Sequence, residues 1–94
     1  MTKALWNNTV VAESHDCVVV DGYHYFPKKA VCQEYLRESQ HHTVCSWKGM
    51  ANYYDVVVGG SVNLNAAWYY PSPSKAAERV AGCIAFWKGV EIEP

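Results

Sequence analysis

Apolar residues in this chain come in short runs, and pairs of residues that tolerate a left-handed backbone separate those runs. "KALW" and "TVVAES" flank Asn7-Asn8, and "CVVV" and "YHYF" flank Asp21-Gly22. "GMANYYDVVV" and "SVNLNAAWYY" flank Gly59-Gly60. Asn, Asp and Gly supply the positive φ that a two-residue turn needs, so each pair predicts a β-hairpin. A tight turn also fixes register. In the central hairpin Val58 then faces Ser61, Val57 faces Val62, Asp55 faces Leu64 and Tyr53 faces Ala66. Ala51 faces Trp68, and Gly49 faces Tyr70, leaving space opposite that ring. Side chains alternate along a strand, so Val57, Val62, Leu64, Tyr53, Ala66, Ala51, Trp68 and Tyr70 share one face. That face is expected to be the core side, with Asp55 as its only charge. Val56, Val58, Tyr54, Met50, Ala67 and Tyr69 lie on the other, with Ser61 and the asparagines 52, 63 and 65.

Elsewhere the spacing changes. Pro27 ends a strand and suits a first helical turn. Val31 with Tyr35, and Cys32 with Leu36, then recur at four residues, which predicts a helix of about two to three turns over 28–39. After "PSPS", Ser72 or Ser74 can cap a second short helix running through Arg79, with Gly82 ending it. "CIAFWK" reads as a strand, and "VEIE" alternates as an edge strand. The expected fold is mainly β: a compact antiparallel sheet with two short helices, forming a single domain over 1–94.

Composition narrows the function. Ninety-four residues, half of them apolar, support one modest core. The net charge is −1 and the densest basic point is Lys28-Lys29. A nucleic-acid partner needs a clustered cationic footprint, so none is expected. No apolar run approaches a membrane span, and "MTKALWNNTV" lacks the apolar core of a secretory signal. A cytoplasmic location is the expectation. The four cysteines, at 17, 32, 45 and 83, are widely spaced and read as reduced thiols. No Cys-x2-Cys pair occurs, and His41 and His42 as strand neighbours would point apart, so no metal or other cofactor is expected.

The densest chemistry is "CSWKG", residues 45–49. Cys45 is a nucleophile only with a depressed pKa or a nearby base; otherwise it is a buried, inert thiol. Lys48 sits between Trp47 and the aromatic end of the hairpin. With its stem along rings and its ammonium at a cleft mouth, it would anchor an anion; otherwise it is a turn lysine covering apolar surface. Asp55, on a mostly apolar face, must be paired, or reach water through a bulge or a sheet edge. Tyr53 and Tyr70 share its face, as does Trp68, which suits plain core packing. Tyr25 and His24 are candidates for the rim.

"YHYFP", "TVCSWKGMANYYDV", "NAAWYYPSP" and "AGCIAFW" together resemble a small, mainly bacterial family described as domain of unknown function 427. The similarity runs from about Lys3 to Glu93. Ser46 and Met50 depart from its usual residues without removing a reactive group. The resemblance implies a β fold of the Mss4-like, β-tent kind. The zinc ligands of other β-tent domains do not carry over, since their Cys-x-x-Cys pairs are missing. The family is also labelled nucleotidyltransferase-like. That chemistry wants a Gly-Ser loop followed by paired carboxylates for two metal ions. Gly60-Ser61 is present, but the only later acids are Glu78, Glu91 and Glu93.

Two functions follow from these residues. One is a binding domain whose shallow cleft, rimmed by Lys48, Tyr53, Asp55, Tyr70, Cys45, Trp47, Tyr25 and His24, takes a small anionic or aromatic metabolite. The alternative is a small enzyme with Cys45 or Lys48 as its reactive group. Assembly through exposed aromatics at a sheet edge is a third, less favoured, and the sequence leaves the oligomeric state open.

Overall fold

All three turn pairs form as expected. Asn7 and Asn8 have φ of 53° and 59°, Asp21 and Gly22 53° and 82°, and Gly59 and Gly60 56° and 82°. The computed structural model describes the whole chain, Met1–Pro94. Nine strands run in order: β1 (Thr2–Trp6), β2 (Thr9–Ser14), β3 (Val18–Val20), β4 (Tyr23–Pro27), β5 (Leu36–Cys45), β6 (Gly49–Val58), β7 (Ser61–Tyr69), β8 (Cys83–Phe86) and β9 (Glu91–Glu93). They make two antiparallel sheets, one ordered β2-β1-β9 and the other β3-β4-β8-β7-β6-β5. No helix is long and apolar enough to cross a membrane.

The two expected helices do not form; the helical segments are 3-10 turns. Lys28–Ala30 and Gln33–Tyr35 are single turns, and Leu36 then starts the ten-residue β5. Pairing across the fold overrides the local spacing. Val31 bridges Ala12, the Cys32 N–H donates to the Val11 carbonyl, and Leu36 pairs with Val56. Lys75–Val80 is likewise 3-10, and the Ser74 hydroxyl makes no cap. It donates instead to the Trp47 carbonyl at 2.6 Å.

The central hairpin keeps its register only near the turn, where Val58 faces Ser61 and Val57 faces Val62. Past Val56 the pairing slips by two residues, so that Tyr53 faces Trp68 rather than Ala66. Asn65, at φ 56°, sits in the bulge that absorbs the slip. The expected core face needs correction too. Val62 and Leu64 are 42% and 59% exposed, while Tyr54, Val56, Val58 and Ala67 on the opposite face are buried. Those residues meet Ala4, Val11 and Ala12 of the small sheet, with Phe26, Ile84 and Phe86 completing the layer between the sheets. On the other face only the far end is covered. There Ala51, Tyr53, Trp68, Tyr70 and Ala85 pack with Tyr25, Val20, Ala77 and Val80 in a second, aromatic cluster.

Candidate functional site

Ser46, Trp47 and Lys48 form the turn between β5 and β6. The loop after β7 fastens this turn from behind: the Ser74 N–H donates to the Lys48 carbonyl at 2.9 Å, beside the Ser74 hydroxyl bond to Trp47. Gly49 makes the close approach possible. Its φ is 114°, and a Cβ there would stand 3.3 Å from the Ser72 carbonyl oxygen. Gly49 therefore gives space to the loop rather than to Tyr70, as the uninterrupted register implied.

With its backbone held, Lys48 turns inward and is only 5% exposed. Its ammonium donates to Asp21 Oδ2 at 2.6 Å. Asp21 reaches it from the β3–β4 turn. The ammonium also lies 4.7 Å from the centroid of the Trp47 ring and 5.9 Å from that of Tyr70, an attractive cation–π arrangement.

Beside this ion pair lies an open cavity of about 200 Å³, walled by Tyr23, Tyr25, Tyr53, Trp68, Tyr70 and Trp87. Trp68 is its centre. The edges of Tyr23, Tyr25 and Trp87 meet it in T-shaped contacts at 4.8, 6.2 and 5.7 Å between centroids. Its indole N–H donates to the Tyr25 hydroxyl at 3.3 Å. The Tyr53 hydroxyl is held by Thr43 at 2.9 Å. Trp87, just past β8, is fixed by its own N–H donating to the Asn65 carbonyl at 2.6 Å. The β7 bulge thus places one wall of the cavity.

Charge in this corner is tuned by the same neighbours. Burial presses the Lys48 ammonium towards the neutral form. The hydrogen bond the ammonium donates to Asp21, with Tyr25 and Cys45 nearby, outweighs burial, so the pKa is held above the ordinary lysine value. The Cys45 thiol is pulled below its usual range, first by the Trp47 N–H, then by the Lys48 N–H, the Lys48 charge and the Tyr70 hydroxyl. Burial, with Tyr25 close by, pushes the Tyr70 hydroxyl well above the normal tyrosine range. The chain contains no group of three or more His, Cys, Asp or Glu side chains placed to hold a metal ion.

A family model described as "Domain of unknown function (DUF427)" matches residues 1–93, nearly the whole chain. The chain belongs to the DUF427 family. Among curated proteins, none matches it.

In this DUF427 domain the cavity gathers four of the residues marked from sequence: Lys48, Tyr53, Tyr70 and Tyr25. Trp47 backs the ammonium but is 43% exposed on the outer side. Cys45 is half-buried and packs against the aromatic cluster without lining the cavity. His24, on β4, pairs with Val19 of β3 and does not line the cavity. Asp55 also lies outside it. One carboxylate oxygen accepts the Asn65 N–H at 2.9 Å, and the other accepts Arg37 Nε and Nη2 at 3.1 and 2.8 Å. Asp55 is the brace of the bulge in the DUF427 hairpin, which explains a buried carboxylate on an apolar face.

Asp21, Tyr23 and Trp87 also line the cavity, though no local pattern in the sequence points to them, and Trp68, expected in the core, lines it as well. Asp21 was legible only as a turn residue. Its contact with Lys48 spans 27 positions and joins two separate hairpins.

Proposed function

We propose that this DUF427 domain binds a small anionic or aromatic molecule in the Lys48 cavity. The observation that carries this is the convergence of six aromatic side chains and one buried ammonium on a single cavity. A core does not need a lysine, and burying one costs free energy unless something pairs with it. The size sets the ligand class. A dry cavity of about 150 Å³ holds benzene, while drug-sized ligands occupy about 300 Å³ or more. A cavity of about 200 Å³ suits one ring or two fused rings, and is too small to enclose a nucleotide.

The test is thermal denaturation against a panel of small aromatic acids and alcohols. Binding raises the melting temperature as ligand exceeds its Kd. Lys48→Ala is expected to keep the fold and lose the shift given by the acids. An unchanged ligand response in that variant would remove the assignment.

A second reading, a small enzyme with Cys45 or Lys48 as reactive group, is supported by the depressed Cys45 thiol beside Lys48 and Tyr70. Cys32 is exposed, so speed of alkylation alone does not separate the thiols. The pH profile does. Cys45 is expected to reach full reactivity at lower pH than Cys17, Cys32 and Cys83, and identical profiles for all four would end this reading. The Mss4-like, β-tent assignment belongs to the same set of proposals. Two antiparallel sheets packed on one another support it, and superposition on an experimental β-tent structure tests it.

A further inference from the structure

The cavity already contains a carboxylate. Asp21 lines it, and its Oδ2 stands 2.6 Å from the Lys48 ammonium. The two partners differ sharply in burial: the Lys48 side chain is 7% exposed and the Asp21 side chain 55%. Lys48 cannot leave, because its backbone is fastened to Ser74 and its stem is enclosed. Asp21 can. It sits at the tip of a two-residue turn, half in water, and Lys48 is its one hydrogen-bonded partner. A carboxylate so placed regains hydration by rotating outward, which offsets part of the lost ion pair.

On this basis, which rests on the binding reading above, we infer that Asp21 is a tethered stand-in for the ligand's own acidic group. The ligand is then a small aromatic monocarboxylate. Its carboxylate takes the place of Asp21 on Lys48, and its ring lies against Trp68 and the tyrosines.

Three observations select this class. The cavity offers a single ammonium and no second Lys or Arg, so it balances one negative charge rather than a phosphate dianion. The group bound there now is a planar carboxylate at hydrogen-bond distance, so the geometry of that contact is already shown to fit. The remaining lining is rings, which a carboxylate without an aromatic part would leave uncovered. A tethered competitor acts at an effective concentration on the order of millimolar. Displacing it therefore requires the ring as well as the charge.

The site also discriminates by exchange of partners. An aromatic alcohol contacts the rings but leaves the Asp21–Lys48 pair intact. An aromatic acid must break that pair and replace it. Asp21 thus weakens acids selectively and sets the threshold concentration at which they bind.

The experiment is a titration of the intact protein with benzoate and with benzyl alcohol, read by tryptophan fluorescence, in the wild type and in Asp21→Asn. Asparagine tolerates the φ of 53° at this position, so the turn is retained, and its amide oxygen keeps a neutral acceptor for Lys48. Benzoate is expected to bind Asp21→Asn about fivefold more tightly than the wild type, the worth of about 1 kcal/mol in a competing ion pair. Benzyl alcohol is expected to bind both alike. If benzyl alcohol binds and benzoate binds the variant no better, Asp21 is not a stand-in, while the binding site itself survives. If neither probe perturbs either protein, the binding reading and this inference fall together. Should Asp21→Asn fail to fold, the wild type still decides. Benzoate is expected to move the ¹³C resonance of the Asp21 carboxyl as it leaves Lys48, and a resonance unmoved at saturating benzoate overturns the inference.

Discussion

The two faces of the six-stranded sheet are built from the same strands to opposite ends. On β6, Tyr54, Val56 and Val58 point to the small sheet, while Ala51 and Tyr53 point the other way. The first face is closed by another sheet and is mostly aliphatic, with two phenylalanine rings meeting edge to face at 5.7 Å. The second is closed only by turns and loops, is rich in Tyr and Trp, and admits a lysine. The layer between the two sheets is filled by buried side chains. Turns laid on a sheet leave gaps, and large rings with polar tips can line a gap without leaving polar groups stranded. The structure thus sets a closed core and an open, aromatic-lined cavity on opposite sides of one layer of backbone.

The largest effect that would sharpen this contrast lies on the closed face. Phe26 is fully buried, and Phe26→Ala is expected to destabilise the domain by about 3–5 kcal/mol, measured by urea denaturation. A much smaller loss would mean that this face is less tightly packed than its burial indicates. Next comes the bulge. Asp55→Ala strands the Asn65 N–H and releases Arg37, at a cost of about 2 kcal/mol. Trp87 leans on Asn65, so ligand-dependent thermal shifts should weaken as well. Retention of full stability would show the bulge to be self-supporting.

A comparable effect is expected in base. Burial, with Tyr69 and Glu38 alongside, pushes the Tyr54 hydroxyl from 10.0 up to about 12. A raised folded-state pKa means that the native state holds a proton which the unfolded chain releases. The stabilisation is complete below pH 10.0 and is lost as pH rises through about 12, amounting to roughly 2–3 kcal/mol. Denaturation curves between those limits check it, and Tyr54→Phe should flatten the dependence. The smallest change in stability is expected on the open face. Lys48→Met removes a buried charge and frees an exposed carboxylate, two consequences that offset each other. Stability should shift by no more than about 1 kcal/mol, while benzoate binding weakens at least about tenfold. A large loss of stability with unaltered binding would reverse the roles assigned to the two faces.

How much of this was legible beforehand follows from the range of each interaction. The hairpin turns at Asn7-Asn8, Asp21-Gly22 and Gly59-Gly60 were readable because positive φ is a local demand met by particular residues. The edge strand Glu91–Glu93 was readable from its alternation. β5 was not. "LRESQHHTVC" is polar without a break from Arg37 to Thr43, since it forms an exposed sheet edge, and the helical spacing before it was the stronger local signal. The slip at Asn65 was hidden because two residues preserve the alternation of faces while moving every partner beyond the bulge. For the same reason Tyr53 and Trp68 were correctly placed together under an incorrect pairing. Lys48 was identifiable from its aromatic neighbours, but its counter-ion was not, because nothing near position 48 encodes position 21.

The fastening of the Lys48 turn has a thermodynamic consequence. A free lysine side chain gives up on the order of 2 kcal/mol of rotamer entropy when it is immobilised. Here the enclosing rings impose that loss while the chain folds, on a backbone held by the two bonds from Ser74. On the binding function proposed above, an incoming ligand would meet a cation that is already still, and the ordering would not be charged again at each encounter. The loop "PSPS" never touches the cavity, yet it holds in place the one charge around which the cavity is organised.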